Sequence, residues 1–365
     1  AACAVETHPR VKTFSIGFAP NDPELASART VAERYRTDHH EAIVTPKMTD
    51  VLPKLVTHYG EPFADSSAVA TYYLAEYTRK SVTVALSGDA GDELLGGYKR
   101  YALARLGHVY DVLPQVAQAP VRRIATALLG LGNDAYGNYA NRASEGEGRR
   151  YLELVRFLTE EDKNRLYRGP LRAARTRATV ERFDHLLHET RAAHRFGRLL
   201  RLDFATYLPD DILTKVDIAS MAHALEVRCP FLDTDVMEFS AKIPPKYKIW
   251  AEGQEIKALL KRAARGFLPD SAIDRPKEGF IMPVNQWLGQ DLFPYAQNTL
   301  RPAQLKKHDL FRSDVVESLL ANFKAGQSNL ANKILSLLCF QVWFDNYIDS
   351  QPTLPLGEAA KYRHH

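Results

Sequence analysis

The chain has 365 residues, 45% hydrophobic and 25% charged, which fits one large or two moderate globular domains and excludes collagen-like, disordered and membrane classes. Its net charge is +4, yet residues 149–201 carry 14 Lys/Arg against 7 Asp/Glu, so one segment holds the basic character. No run of ~18 apolar residues and no charged-then-apolar leader is present, so a cytoplasmic protein without a membrane partner is expected.

In chain order, the first hundred residues alternate between strand and helix patterns. Residues 11–18 are rich in β-branched and aromatic side chains and run into the turn-prone Ala19-Pro20-Asn21-Asp22-Pro23, which predicts a buried strand. Ala28, Val31, Ala32 and Tyr35 recur at helical spacing, residues 40–44 predict a second strand, and residues 49–59 a second helix. Ser66 reads as the N-cap of a helix over 67–79 bearing Val69, Tyr72, Tyr73 and Tyr77, and residues 81–86 as a third strand. Strands separated by helices imply right-handed crossovers and a parallel sheet covered on both faces, so residues 1–107 are expected to be α/β.

After Gly97 amphipathic helical patterns take over. Ile256, Leu259, Leu260, Ala263 and Ala264 form one stripe, and Ala331, Ile334, Leu335, Leu338 and Val342 another. Residues 108–350 are therefore expected to be mainly helical, residues 351–365 a tail, and the Gly- and Asn-rich residues 130–148 a mobile connection. Cys3, Cys229 and Cys339 are odd in number and far apart, which speaks against disulfides and a CxxC-type zinc site and for buried thiols. The first methionine is Met48, so the sequence is expected to be a fragment or processed product.

The segment richest in chemistry runs from Leu86 through Ser87-Gly88-Asp89-Ala90-Gly91-Asp92-Glu93 to Tyr98. It follows a predicted strand and enters a helix, where α/β sheets place ligands. Small residues let a ligand approach the backbone, and amides at a helix start favour an anion. Three carboxylates, Asp89, Asp92 and Glu93, would repel a phosphate unless a cation intervened, so the combination implies Mg²⁺ with a nucleotide. The bland alternative is a glycine turn with acidic residues that only stabilise a helix dipole. A Walker-type loop fails, because Gly97-Tyr98 stands where Lys-Ser/Thr is required.

A second cluster, residues 207–233, opens with a helix start at Pro209 and Asp210 and sets Lys215, Asp217 and His223 among apolar neighbours. Glu226, Arg228 and Asp233 read as an ion-pair network at a domain junction. In the third segment Pro276 and Gly279 hold a loop whose Arg275 and Lys277 could reach a triphosphate, against the default of a solvated charged loop.

Together, in this order, the segments resemble the synthetase domain of the glutamine-dependent asparagine synthetases. The match takes in residues 12–18, the Glu61-Pro62-Phe63-Ala64-Asp65-Ser66-Ser67 run, and residues 86–101, 207–233 and 275–280. The resemblance implies a parallel-sheet ATP pyrophosphatase fold, of the adenine nucleotide alpha hydrolase-like type, followed by a mainly helical region. It implies that ATP activates the aspartate side-chain carboxylate as an acyl-adenylate and that ammonia displaces AMP. By similarity, adenine lies near Phe14, Ser15 and Ile16 and against Ser87 and Gly88. Asp92 is the implied Mg²⁺ ligand, Asp89 the acid facing the acyl-adenylate and ammonia, and Lys277 the lysine that neutralises the phosphates.

The family's Ser-Gly-Gly-x-Asp-Ser loop and its glutaminase domain with a leading Cys nucleophile are not found in these residues. Residues 1–6 read as the tail of the helix after that loop. The chain is accordingly expected to be a truncated synthetase domain with little turnover of its own. A glutaminase domain is the implied partner, and a homodimer is left open. Alternatives are relatives that close β-lactam rings, cyclise peptides or amidate cell-surface precursors. A tRNA-modifying ATP pyrophosphatase is a further one, disfavoured because the arginines of residues 149–201 alternate with acidic and apolar residues, and a non-catalytic structural module is the last.

Overall fold

The computed structural model describes residues 2–8, 10–101, 146–173, 177–189, 195–249, 256–274 and 282–350. The chain divides into two compact units, one of residues 1–44, 71–159 and 175–279, the other of residues 45–70, 160–174 and 280–365. The architecture is α/β, with small parallel sheets among many helices.

In the first unit, β1 (Lys12–Gly17) pairs in parallel with β2 (Asp38–Ile43), Lys12 opposite Asp38 and Gly17 opposite Ile43. The crossover helix Pro23–Tyr35 starts where the turn residues predict: Asp22 caps it by accepting from the Glu24 N–H at 2.9 Å, and Pro23 occupies the first turn. Gly17 gives the helix room at the strand end, since a Cβ there would meet Leu25 Cδ1 at 2.7 Å and Asp22 Cβ at 3.0 Å. The third predicted strand corrects the single-sheet expectation. β3 (Val84–Leu86) pairs in parallel with β4 (Glu226–Arg228), so the described residues form two two-stranded sheets. A three-residue strand with charge at both ends carries no hydrophobic run by which to find it.

The apolar core of this unit gathers Tyr101, Tyr151, Leu152, Phe183, Leu187, Leu199, Leu202 and Ile249. Inside it Asp203, 1% exposed, accepts from Arg100 at 2.7 Å, Tyr101 Oη at 2.5 Å and Tyr151 Oη at 2.7 Å. Both tyrosine hydroxyls are pushed well above their ordinary range, first by burial and then by the Asp203 charge.

The second unit is built on the helix Ala331–Phe344. Its predicted stripe of Ala331, Ile334, Leu335, Leu338 and Val342 is buried, as are Leu337, Cys339 and Gln341, so the helix is covered almost all round. It packs against the helices Met48–Tyr59, Val284–Leu288 and Leu292–Thr299. The predicted helix after Ser66 is present as Ala68–Arg79, but Asp65 is the side chain that caps the turn, accepting from the Ser67 N–H at 2.9 Å and Ser67 Oγ at 2.7 Å.

The stripe around residue 260 forms the helix Ala258–Ala264, with Ile256 and Ala258 buried and Ala263 exposed. The expectation of three buried thiols is corrected: Cys339 is buried, Cys229 half-buried and Cys3 exposed, on a six-residue helix of which no residue is buried. Residues 130–145 of the proposed connection lie outside the described residues; residue 146 caps the helix Glu147–Leu152. No helix of the described residues is long and apolar enough to cross a membrane.

Candidate functional site

The acid-lined turn begins where β3 ends. The Ser87 N–H donates to the Arg228 carbonyl at 3.0 Å, prolonging the β3–β4 ladder by one bond and fixing the chain's exit. Ser87 Oγ then donates to Asp89 Oδ2 at 2.7 Å and lies 3.3 Å from Cys229 Sγ. Burial pushes the Cys229 thiol up. Gly88 is exposed and open, with nothing within 4 Å of where a Cβ would stand.

Ala90 takes a left-handed backbone (φ 69°) and turns the chain into the short helix Gly91–Leu95. Two features seat that turn. Ala90 packs with Leu208 and Ile212, and the Phe231 ring lies where a Gly91 Cβ would meet it at 3.1 Å. The cluster over residues 207–233 thus positions the turn through packing. Leu208–Leu213 is a π-helix entered at Pro209, followed by the helix Thr214–Met221. His223 sets its ring against Tyr72 at 4.2 Å. Glu226 and Arg228 form a 2.7 Å ion pair along β4, whereas Asp233 is an N-cap, accepting from the Asp235 N–H at 3.0 Å.

Asp92 and Glu93 diverge in role. Asp92 Oδ1 receives Lys257 Nζ at 2.8 Å in a partly exposed pair. Glu93 is 2% exposed, hydrogen-bonded by Tyr98 Oη, and burial raises its carboxyl pKa. Glu93 is therefore a buried structural carboxyl rather than a third solvent-facing acid. Arg100, which the sequence reading passed over, stacks between Tyr98 and Tyr207 at 3.9 and 4.3 Å.

The structure therefore joins Ser87 to Asp89 and gives Asp92 a lysine partner. Phe14, Ser15 and Ile16 stand on β1, in the other sheet, with the Phe14 ring stacked on His40 at 5.2 Å. Lys277, Arg275, Gly279 and Phe280 lie outside the described residues. Lys257 was missed by the sequence reading. A signal was there: a lysine just before a helical stripe opposes the helix dipole, and Lys257 sits at that N-cap with φ 54°.

Among the described residues no group of three or more His, Cys, Asp or Glu is placed to hold a metal ion. Asp92 alone, partly exposed, nonetheless fits a magnesium ion that keeps waters and shares substrate phosphates, since such ions take only one or two protein carboxylates.

The Asparagine synthase family model matches residues 1–345. The chain is 28% identical over 95% of its length to "Asparagine synthetase [glutamine-hydrolyzing] 1" of Bacillus subtilis and covers 54% of that protein. It is 28% identical over 98% of its length to a "Putative asparagine synthetase [glutamine-hydrolyzing]" of Mycobacterium tuberculosis, again covering 54%. A more distant similarity, 24% over 77% of the chain and 45% of the relative, is to "Amidase chry2" of Gibberella zeae. The chain thus spans about half the length of the synthetases it matches. With its match running from the first residue through the helix Ala331–Phe344, the chain belongs to the asparagine synthase family.

Proposed function

We propose that the chain is the synthetase part of a glutamine-dependent asparagine synthetase, an ATP-dependent amide-forming ligase. The aspartate side-chain carboxylate attacks the α-phosphorus of ATP, the bond to pyrophosphate breaks, and ammonia then displaces AMP from the acyl carbon with loss of a proton. The observation that carries this reading is the turn after β3, where Ser87 holds Asp89 beside the open Gly88 backbone and, one helical turn on, Asp92 is paired with Lys257.

In this reading Gly88 and the amides at the turn admit the phosphates, and Ser87, Gly88, Phe14, Ser15 and Ile16 receive the adenosine. Asp89, fixed by Ser87, orients ammonia and accepts its proton, a task that needs a carboxylate within hydrogen-bond reach. Lys277 neutralises phosphate charge. Magnesium arriving with ATP would be held by Asp92 and would supply charge neutralisation at the phosphates. Residues 1–107 serve as the nucleotide-binding part and residues 108–350 as the helical part. A glutaminase domain elsewhere in the whole protein supplies ammonia, in the cytoplasm.

The test is to supply the whole protein, of which this chain is proposed to be the synthetase part, with Mg²⁺-ATP, aspartate and ammonium chloride. Asparagine, AMP and pyrophosphate are expected in equal amounts; AMP release indifferent to aspartate would overturn the assignment. Similarity to the Gibberella zeae amidase favours one second reading, the same chemistry on another carboxylic acid, and a panel of acids in that assay separates the two.

A further inference from the structure

The first unit holds a cavity of about 920 Å³ beneath the short helix Gly91–Leu95, within the size range of small-molecule sites. Leu94, Phe196, Leu200, Phe204, Met237 and Ile243 make its walls apolar. Of the acid-lined turn only Glu93 and Leu94 reach it; Ser87, Gly88, Asp89 and Asp92 do not, so the cavity lies apart from the groups proposed to handle ATP.

Of the charged residues in the lining, Glu189, Arg201, Glu238 and Lys242 are exposed, whereas Glu93 and Lys248 are buried. Lys248 is 4% exposed, and its ammonium donates to Ser240 Oγ at 3.2 Å, while the Ser240 hydroxyl donates to the Leu94 carbonyl at 2.8 Å. Among the described residues no carboxylate lies within ion-pair distance of Lys248; the acids of the lining are engaged elsewhere, Glu93 with Tyr98, Glu189 with His185 at 3.5 Å and Glu238 with Lys242 at 3.8 Å. An ammonium buried among apolar side chains with a single neutral acceptor costs free energy that an entering anion would recover.

We propose that this cavity binds an organic carboxylate with an apolar body, its carboxylate held by Lys248 and its body by Phe196, Leu200, Phe204 and Met237. Glu93 in the same lining disfavours a polyanion such as a triphosphate, which selects a single negative charge on a hydrophobic frame. The site stands on Lys248 and its surroundings and is independent of the synthetase reading.

The experiment uses 1-naphthoate and its neutral analogue 1-naphthamide, titrated into the chain by fluorescence. Wild type is expected to bind 1-naphthoate more tightly than the amide. Lys248→Met is expected to weaken 1-naphthoate roughly tenfold or more and to leave 1-naphthamide within about twofold, as loss of one charge-assisted hydrogen bond requires. Leu200→Trp, which sets a bulky ring on the wall proposed to hold the apolar body, is expected to weaken binding of both and keeps the test decisive if the first variant does not fold. Unchanged 1-naphthoate binding in either variant, or no binding of either compound to wild type at millimolar concentration, would overturn the proposal.

Discussion

Lys257 Nζ reaches Asp92 Oδ1 at 2.8 Å across Gly97, whose missing side chain is what lets the pair form. A Cβ at Gly97 would fall inside the van der Waals radii of both Asp92 Oδ1 and Lys257 Cε. The Gly97 N–H also donates to the Asp92 carbonyl at 2.8 Å, so the backbone there has little room to yield. Gly97→Ala is expected to separate the pair and to cost about 1–3 kcal/mol by overpacking, read from urea unfolding.

Removing the cation instead of the space separates stability from ligand binding. Both partners are partly exposed, so Lys257→Met should lower stability by less than about 1 kcal/mol. If Asp92 holds magnesium, Lys257 competes with the metal for one carboxylate, and the variant should need up to about fivefold less Mg²⁺ for half-maximal ATP binding. Asp92→Asn should lose the Mg²⁺ dependence altogether. Titrations of ATP binding at several Mg²⁺ concentrations check both.

Asp203 is the acceptor on which Arg100, Tyr101 and Tyr151 converge in the core of the first unit. Asp203→Ala would leave a buried guanidinium without its counter-charge and two hydroxyls without that acceptor, at an expected cost of about 3–5 kcal/mol. Arg100→Met combined with Asp203→Leu should recover much of that loss, because the charge and its partner then leave together. Denaturant midpoints of the single and double variants measure the difference.

How much of this was legible follows the physics of each signal. The crossover helix with its Asp22 cap and the helix Ala331–Phe344 could be read because caps and apolar periodicity are local. The acid-lined turn was legible for the same reason, its glycines and carboxylates being contiguous. What could not be read was pairing at long range: β4 is three residues long with charged ends, and nothing local ties Val84 to Glu226. Lys257 was legible as a lysine at a helix start, but that it meets Asp92, and that Glu93 is buried, depends on which helices meet, which composition and spacing do not encode.

The raised pKa of Glu93 turns into a pH dependence of stability. The native state holds its proton to higher pH than the unfolded chain, so wild type loses stability as pH rises from the ordinary carboxylate value through the raised one. Glu93→Gln keeps an acceptor for Tyr98 Oη and cannot ionise. Its stability relative to wild type should therefore increase across that window and level off above it, as thermal unfolding at a series of pH values would show.

Lys248 gives the opposite sign. Burial pushes its ammonium down to about 8 from an unfolded value of 10.5, so between these values the unfolded chain binds more protons and stability rises with pH. Below pH 8 the full cost of burying the charge remains in the ligand-free chain. Lys248→Met, similar in length and uncharged, should then be more stable than wild type by roughly 3 kcal/mol, the free-energy equivalent of that shift. The advantage should shrink from pH 8 to 10.5. A cavity ligand supplying a carboxylate should reduce it at pH 7 by stabilising wild type more than the variant, through the linkage between binding and folding. Paired unfolding curves, with and without 1-naphthoate, test both effects.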